Sequence, residues 1–188
     1  HYPGRLRVVH GDALKTDVAA LVSPGVKIVA NLPYNIATPL LTGWLTAEPW
    51  PPFYASMTLM FQREVAERIV AIPGDEAYGR LGVLANWRCH TEIAFDISPR
   101  AFTPPPKVDS QILILNRRPK PLFPDVSNKE FFRLVKAGFS QKRKTLLNSL
   151  SAGLQLDKAI VKTICESVDI DPGRRAQTLS LEEWHNLY

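Results

Sequence analysis

Apolar and polar positions follow two periodicities in the first 117 residues. Short apolar runs of the length of strands alternate with segments that repeat apolar residues every three or four positions. The predicted strands are 6–10, 26–30, 55–61, 91–96 and 110–117, and the predicted helices are 38–47, 62–70 and 80–88. An alternation of strands and helices predicts an α/β fold with a mostly parallel sheet.

After residue 117 the pattern becomes purely helical. Residues 118–126 contain Pro119, Pro121 and Pro124, and we predict that they link a sheet domain, 1–117, to a small all-α domain, 127–188. The predicted helices of the second domain are 128–139, 141–150, 156–167 and 181–187. Ser180, with Glu183 three residues later, is typical of a capping box at the start of the last helix.

The composition limits the classes of protein to which this sequence can belong. Apolar residues make up 45% of the 188 residues, enough for a substantial core, but no run of about 18 apolar residues predicts a membrane span. Cys89 and Cys165 lie in no CxxC pair, and the first residues lack the features of a signal peptide. We therefore predict a cytoplasmic protein without metal or disulfides. The net charge of +5 falls mostly after residue 117, which favours RNA as a partner, although solvated helix surfaces explain this excess equally well.

The segment Asn31-Leu32-Pro33-Tyr34 follows the most apolar early strand. Proline prevents a central strand from continuing, so these residues are predicted to lie at the carboxyl end of that strand, where open α/β sheets bind ligands. The Asn31 carboxamide and nearby carbonyls offer acceptors, and Tyr34 offers a flat face. This set suits a nucleobase with an exocyclic amine. Thr38 is predicted to cap a helix that begins at Pro39. The alternative for the segment is an ordinary strand-to-helix turn in which the Asn is a cap and the Tyr belongs to the core.

The longer run Asn-Leu-Pro-Tyr-Asn-Ile-Ala-Thr-Pro-Leu-Leu resembles motif IV of the methyltransferases that act on adenine amines, and in particular that of the KsgA-type rRNA adenine dimethyltransferases. Erm-type resistance methylases belong to the same superfamily. Three further segments support the resemblance, in the same order along the chain. They are Tyr78-Gly79-Arg80-Leu81, the proline-rich 101–110, and the basic 141–150.

The resemblance implies a Rossmann-like methyltransferase sheet that binds S-adenosyl-L-methionine. The resemblance also implies that the cofactor is contacted by Asp12, Ala13 and Asn31, although Asp12 also suits a simple helix cap. Such a domain should begin with a strand, a glycine-rich loop and a helix, and should hold the ribose through an acidic residue. These features do not occur in this sequence. We therefore expect an amino-terminally truncated sheet, from a fragment, an engineered truncation or a longer protein, with little cofactor affinity of its own.

The chemistry implied is the transfer of a methyl group to the exocyclic amine of adenine, twice, on adjacent adenosines near the 3′ end of small-subunit rRNA. Asn31 and a carbonyl of Leu32 or Pro33 would accept hydrogen bonds from the amine, and Tyr34 would stack on the base. The resemblance implies that Phe102 covers the other face of the base. A core aromatic beneath the prolines 104–106 is the alternative for Phe102.

Basic residues are predicted to contact RNA. They are Arg80, Lys107, Lys142, Arg143 and Lys144. The alternative for Arg80 is an ion pair with Glu64 or Glu76, and residues 142–144 also suit a solvated helix face. The predicted partner is a precursor of the small ribosomal subunit, and the predicted state is a monomer. Two other functions remain open, a non-catalytic rRNA-binding assembly factor and an Erm-type methylase of large-subunit rRNA. The first is disfavoured by Asn31 and Tyr34, the second by the proline-rich loop.

Overall fold

The computed structural model describes residues 4–188. Its strands are β1 (Val26–Asn31), β2 (Tyr54–Gln62), β3 (Cys89–Ile97) and β4 (Ser110–Arg117). Its α-helices are α1 (Tyr34–Leu45), α2 (Arg63–Val70), α3 (Arg80–Arg88), α4 (Asn128–Gly138), α5 (Leu146–Leu154), α6 (Lys158–Ser167) and α7 (Leu181–Leu187). Short 3-10 turns occur at Ala19–Leu21, Pro99–Ala101 and Ala176–Thr178. In the part of the chain described, no helix is both long and apolar enough to cross a bilayer.

The four strands form one mixed sheet in the order β1-β2-β4-β3. Only β1 and β2 are parallel, whereas β4 runs antiparallel to both β2 and β3, so the prediction of a mostly parallel sheet is wrong. The reason is the connection of β3 to β4, which is a loop without a crossover helix and therefore reverses the chain. In this register Asn31 lies opposite Met60, and Gln62 lies opposite Ser110. The end of β1, the end of β2 and the start of β4 thus meet at one edge of the sheet.

Two apolar clusters hold the fold together. One lies between the sheet and helices α1 to α3, around Leu41, Met57 and Leu113. The other lies among α4 to α7, around Phe131 and Trp184. The α/β sheet followed by helices matches the predicted fold class, and the linker and domain boundaries remain a prediction.

Helix α3 belongs to both clusters. Val83 and Trp87 face the helical cluster, whereas Leu84 and Ala85 face the sheet cluster. The ring of Trp87 lies edge-on to that of Phe131 of α4, with 3.6 Å between the ring centroids. The two parts of the molecule are therefore packed against a shared helix.

Two predicted elements begin elsewhere or are absent. Residues 6–10 pair with no strand among the described residues, and Leu6 and Val8 are 72% and 81% exposed, so the predicted first strand is wrong. Helix α1 begins at Tyr34 rather than at Pro39, with Pro33 at the N-cap position and Pro39 inside the helix. The amides of Ile36 and Ala37 both donate to the Pro33 carbonyl at 3.0 Å, which starts the helix one turn earlier than Thr38 and Pro39 predict.

The basic segment 141–144 is a turn, so the prediction of a helix over 141–150 is wrong for its first half. The amide of Lys144 donates to the carbonyl of Gln141, which closes the turn. Helix α5 begins only after Thr145, whose hydroxyl accepts from the amide of Asn148. The next helix, α6, likewise begins at Lys158 because the Asp157 carboxylate caps it. The capping box of Ser180 and Glu183 at the start of α7 is confirmed.

Candidate functional site

The carboxyl end of β1 opens into a cavity of about 340 Å³. Three segments that are distant in sequence surround it: the turn after β1, the end of β2, and the proline-rich loop between β3 and β4. The residues that line it are Asn31, Leu32, Pro33, Tyr34, Met60, Phe102, Pro104 and Pro106. All five residues that the sequence assigned to base binding and catalysis are therefore brought together.

The start of α1 determines which backbone carbonyl in the cavity is free to accept a hydrogen bond from a ligand. The Pro33 carbonyl already accepts from two amides, those of Ile36 and Ala37, which uses both of its lone pairs. Of the two carbonyls that the sequence proposed, that of Leu32 is therefore the better placed to accept from a ligand. Asn31 is exposed at the end of the strand, so its carboxamide is accessible.

The ring of Tyr34 is held by a contact that sequence reasoning missed. Its hydroxyl lies 2.6 Å from the Ser110 Oγ. Ser110 is fully buried at the first position of β4, so its position is set by the sheet. Ser110 closes the proline-rich signature in the sequence, but nothing in that signature indicates which side chain it contacts. Met60, Pro104 and Pro106 were also missed as lining residues.

The loop that carries Phe102 is anchored to the sheet through Arg63. The Arg63 amide donates to the Asp109 carbonyl at 3.0 Å, and its guanidinium lies 3.4 Å from the Asp109 carboxylate and 3.5 Å from that of Asp96. Asp96 in turn accepts from Gln111 Nε2 at 2.7 Å. These ion pairs are partly exposed and are each worth under about 1 kcal/mol, so their main effect is to fix the end of the loop.

Asp12 and Ala13, the predicted cofactor residues, do not line this cavity. The Asp12 carboxylate accepts from the Leu14 amide at 3.0 Å and lies 3.9 Å from Lys15 Nζ. It thus holds a local turn and does not cap a helix, because the next helical turn is Ala19–Leu21, with Val18 as its N-cap. Asp12 is exposed and keeps lone pairs for a further donor, so the cofactor contact stays a prediction.

Two of the predicted RNA-binding residues lie in the sheet part. Arg80 is the first residue of α3 and is exposed. Among residues 4–188 it forms no ion pair, and Glu64 pairs instead with Arg68, so the alternative interpretation of Arg80 is not observed. Lys107 is exposed and borders a separate cavity of about 440 Å³ beside Arg63.

Lys142, Arg143 and Lys144 project from the turn between α4 and α5. All three are exposed, and in the described part of the chain none of them forms an ion pair. The three charges therefore face solvent from one turn and do not fan around a helix.

Neither cysteine offers a nucleophile. Cys89 and Cys165 are free and buried. Burial raises the pKa of the Cys89 thiol to about 12, so the reactive thiolate is scarce at neutral pH. Within residues 4–188 no three His, Cys, Asp or Glu side chains lie close enough together to bind a metal ion.

A family model described as ribosomal RNA adenine dimethylase matches residues 2–187. The chain belongs to this family. Similar curated proteins carry the name ribosomal RNA small subunit methyltransferase A. The protein from Mesorhizobium japonicum is 58% identical over 194 residues, and that from Agrobacterium fabrum is 55% identical over 190 residues. Each match covers 100% of this chain and 66% of the relative, so this dimethylase chain spans just under two thirds of their length.

Two solved structures resemble the dimethylase chain. A dimethyladenosine transferase from Plasmodium falciparum is 29% identical, with a TM-score of 0.77 over 98% of this chain and 71% of that one. The 23S rRNA methyltransferase ErmE is 24% identical, with a TM-score of 0.66 over 95% of this chain and 69% of that one, and shows the shared fold only. The Rossmann-like methyltransferase fold and the membership of the KsgA-type family that the sequence implied are thus confirmed.

Proposed function

We propose that the protein dimethylates the exocyclic amines of adjacent adenosines near the 3′ end of small-subunit rRNA, with S-adenosyl-L-methionine as the methyl donor. The observation that carries the proposal is the cavity in which Asn31, Tyr34 and Phe102 converge at the end of β1. The names of the similar curated proteins support the small subunit as the substrate. We propose further that the protein acts as a cytoplasmic monomer on a precursor of the small subunit.

The cavity suits one flat base that has left its stack. Adenine would lie between the rings of Tyr34 and Phe102, and stacking of about 1–3 kcal/mol per base would offset part of the cost of unstacking. Because Ser110 holds the Tyr34 hydroxyl, the ring offers a fixed plate to the base. Phe102, on the proline-rich loop, lines the same cavity and would cover the other face of the base.

The amine of adenine is a poor nucleophile because its lone pair is delocalised into the ring. Hydrogen bonds from the amine to Asn31 Oδ1 and to the Leu32 carbonyl would favour a pyramidal nitrogen and direct its lone pair away from the ring. The methylated nitrogen carries a positive charge and readily loses a proton to water. No strong base is therefore required of the chain.

S-adenosyl-L-methionine, when bound, supplies a methyl carbon that is activated by a sulfonium. The residues present fit part of this cofactor. Asp12 and Ala13, with Asn31, would hold it, and the exposed Asp12 carboxylate keeps the acceptor capacity that an adenine amine needs. We propose that a glycine-rich loop and an acidic residue outside this sequence hold the methionine and the ribose.

The test uses a fusion that supplies the part of the Mesorhizobium japonicum relative outside the match. The fusion, S-adenosyl-L-methionine and unmethylated small subunits are incubated together, and dimethylated adenosines are located by mass spectrometry of the rRNA. We expect dimethylation of two adjacent adenosines near the 3′ end. Methylation of large-subunit rRNA alone would favour the Erm-type function. If rRNA binds but no methyl group is transferred, while the full-length relative is active, the protein is an assembly factor.

A further inference from the structure

Helix α1 carries a stripe of threonine hydroxyl groups that begins one turn after Tyr34 of the candidate base site. Thr38, Thr42 and Thr46 follow Tyr34 at steps of four residues, so each lies about 6 Å further along the helix and about 40° around it. The Tyr34 hydroxyl itself is turned to Ser110. The Thr46 hydroxyl donates to the Thr42 carbonyl, whereas in the described chain the hydroxyls of Thr38 and Thr42 have no hydrogen-bond partner. The stripe leads from the cavity at Asn31 towards the helical part of the protein.

The stripe forms one wall of a groove of about 360 Å³ between α1, α3 and α4, which we call the threonine groove. Its lining residues are Thr38, Thr42, Thr46, Arg80, Leu81, Leu84, Phe132, Val135 and Lys136. The floor is apolar, with Leu84 and Val135 buried and Leu81 and Phe132 half-buried. No carboxylate of the described chain lines it, so the only formal charges on this groove are positive.

The two cations come from different parts of the molecule. Arg80 lies on α3 and Lys136 lies on α4, and both are exposed. Among residues 4–188 neither forms an ion pair. Arg80 is also the first residue of its helix, where the helix dipole disfavours a cation. Helix stability therefore does not explain why a cation stands at position 80, whereas an anionic ligand would explain it.

We propose that the threonine groove binds the sugar–phosphate backbone of the RNA strand that flanks the base held at Tyr34. Arg80 and Lys136 would neutralise phosphates, and the Thr38 and Thr42 hydroxyls would donate to phosphate or ribose oxygens. This inference rests on the proposed function, because it takes the cavity at Asn31 as the place of the target base. Two cations without a facing carboxylate favour a polyanion such as a nucleic-acid strand over a protein partner.

The charge arm of the test measures RNA binding by the 188-residue chain itself. A labelled single-stranded RNA with two adjacent adenosines is titrated at several salt concentrations, without cofactor, and fluorescence anisotropy gives Kd. We expect Arg80→Gln with Lys136→Gln to weaken binding and to reduce the slope of log Kd against log salt by about 1.4, roughly 0.7 for each phosphate that is no longer neutralised. The control, Lys158→Gln with Lys162→Gln on α6, removes the same charge elsewhere. It should change Kd and the salt slope by less than half of the change caused by the groove pair.

The hydroxyl arm separates hydrogen bonding from charge. Thr38→Val with Thr42→Val should raise Kd about threefold to tenfold and leave the salt slope unchanged, because the cations that displace counterions from the RNA are all retained. Arg80→Lys with Lys136→Arg keeps both charges and should retain binding. The proposal is overturned if the wild-type chain does not bind RNA, or if the groove variants behave like the α6 control. Failure of the proposed function would appear separately, as absent methylation by a fusion whose RNA binding persists.

Discussion

The cavity at Asn31 and the basic turn 142–144 both contain residues predicted to contact RNA, but they are constructed differently. In the cavity both aromatic residues are anchored: Tyr34 is hydrogen-bonded to the buried Ser110, and the loop of Phe102 is held through Arg63. In the turn, three cations extend into solvent, and no partner among the described residues holds them. Recognition of a base depends on positions that are exact to fractions of an ångström, whereas neutralisation of phosphate depends mainly on the number of charges.

This contrast predicts two kinds of failure. A change in the cavity should impair the chemical step and leave affinity nearly intact, since a single base contributes little to binding of a long RNA. A change in the turn should weaken binding of any RNA and should depend strongly on salt.

The largest effect is expected for Asn31→Ala in the fusion enzyme. Loss of the carboxamide removes a hydrogen bond that strengthens as the amine becomes pyramidal, so methyl transfer should fall at least ~10²-fold while RNA binding is nearly unchanged. The transfer of radiolabelled methyl groups measures the turnover, and fluorescence anisotropy measures RNA binding. Asn35→Ala, an exposed Asn four residues later and outside the cavity, is the matched control. Near-wild-type turnover by Asn31→Ala would refute the role of Asn31.

Much of the fold was predictable because it depends on local signals. The strands at β2 and β4 follow from their apolar runs, and α7 follows from the capping box of Ser180 and Glu183. The direction of β4 was not predictable, because periodicity reports which face is buried and not which way a strand runs. The sequence prediction missed the turn at 141–144 because the start of α5 depends on a single capping residue, Thr145.

The candidate site was predictable in the same uneven way. Asn31 and Tyr34 stand in one short motif, and Phe102 was found through a second motif. The contact of Tyr34 with Ser110 joins residues 76 positions apart, and no pattern along the chain encodes it. Sequence therefore identified the groups that would touch the base, but the residue that orients one of them required the register of β2 with β4.

The second-largest effect is expected for Lys142→Glu with Arg143→Glu. Reversal of two exposed charges should weaken binding to small-subunit precursors by about tenfold or more at moderate salt and flatten the log–log salt slope by about one to two units. Stability should change by under ~0.5 kcal/mol, because both side chains are exposed in a turn. Binding curves at several salt concentrations and a thermal melt provide these values.

Lys158→Glu with Lys162→Glu on α6 provides a control with the same change in charge. If both variants alter the slope equally, the turn acts only through net charge. If neither alters slope or Kd, RNA is held by the sheet part alone, and the basic turn is solvated surface.

The smallest effect is expected for Ser110→Ala, which tests whether the cavity works through fixed positions. The substitution removes the one hydrogen bond that the Tyr34 hydroxyl makes in the described structure, so the ring can rotate away from the plane that suits the base. A neutral hydrogen bond is worth about 1 kcal/mol, so kcat/KM of the fusion should fall roughly fivefold.

Tyr34→Phe should lower kcat/KM by about the same factor, and the double variant by no more than either single one, because both remove the same contact. A purely structural role would instead lower the melting temperature and leave kcat/KM unchanged well below that temperature. The fluorescence of 2-aminopurine at the target position reports the stacking directly: it should be less quenched in both variants, and equal quenching in wild type and Ser110→Ala would show that Ser110 does not position the ring.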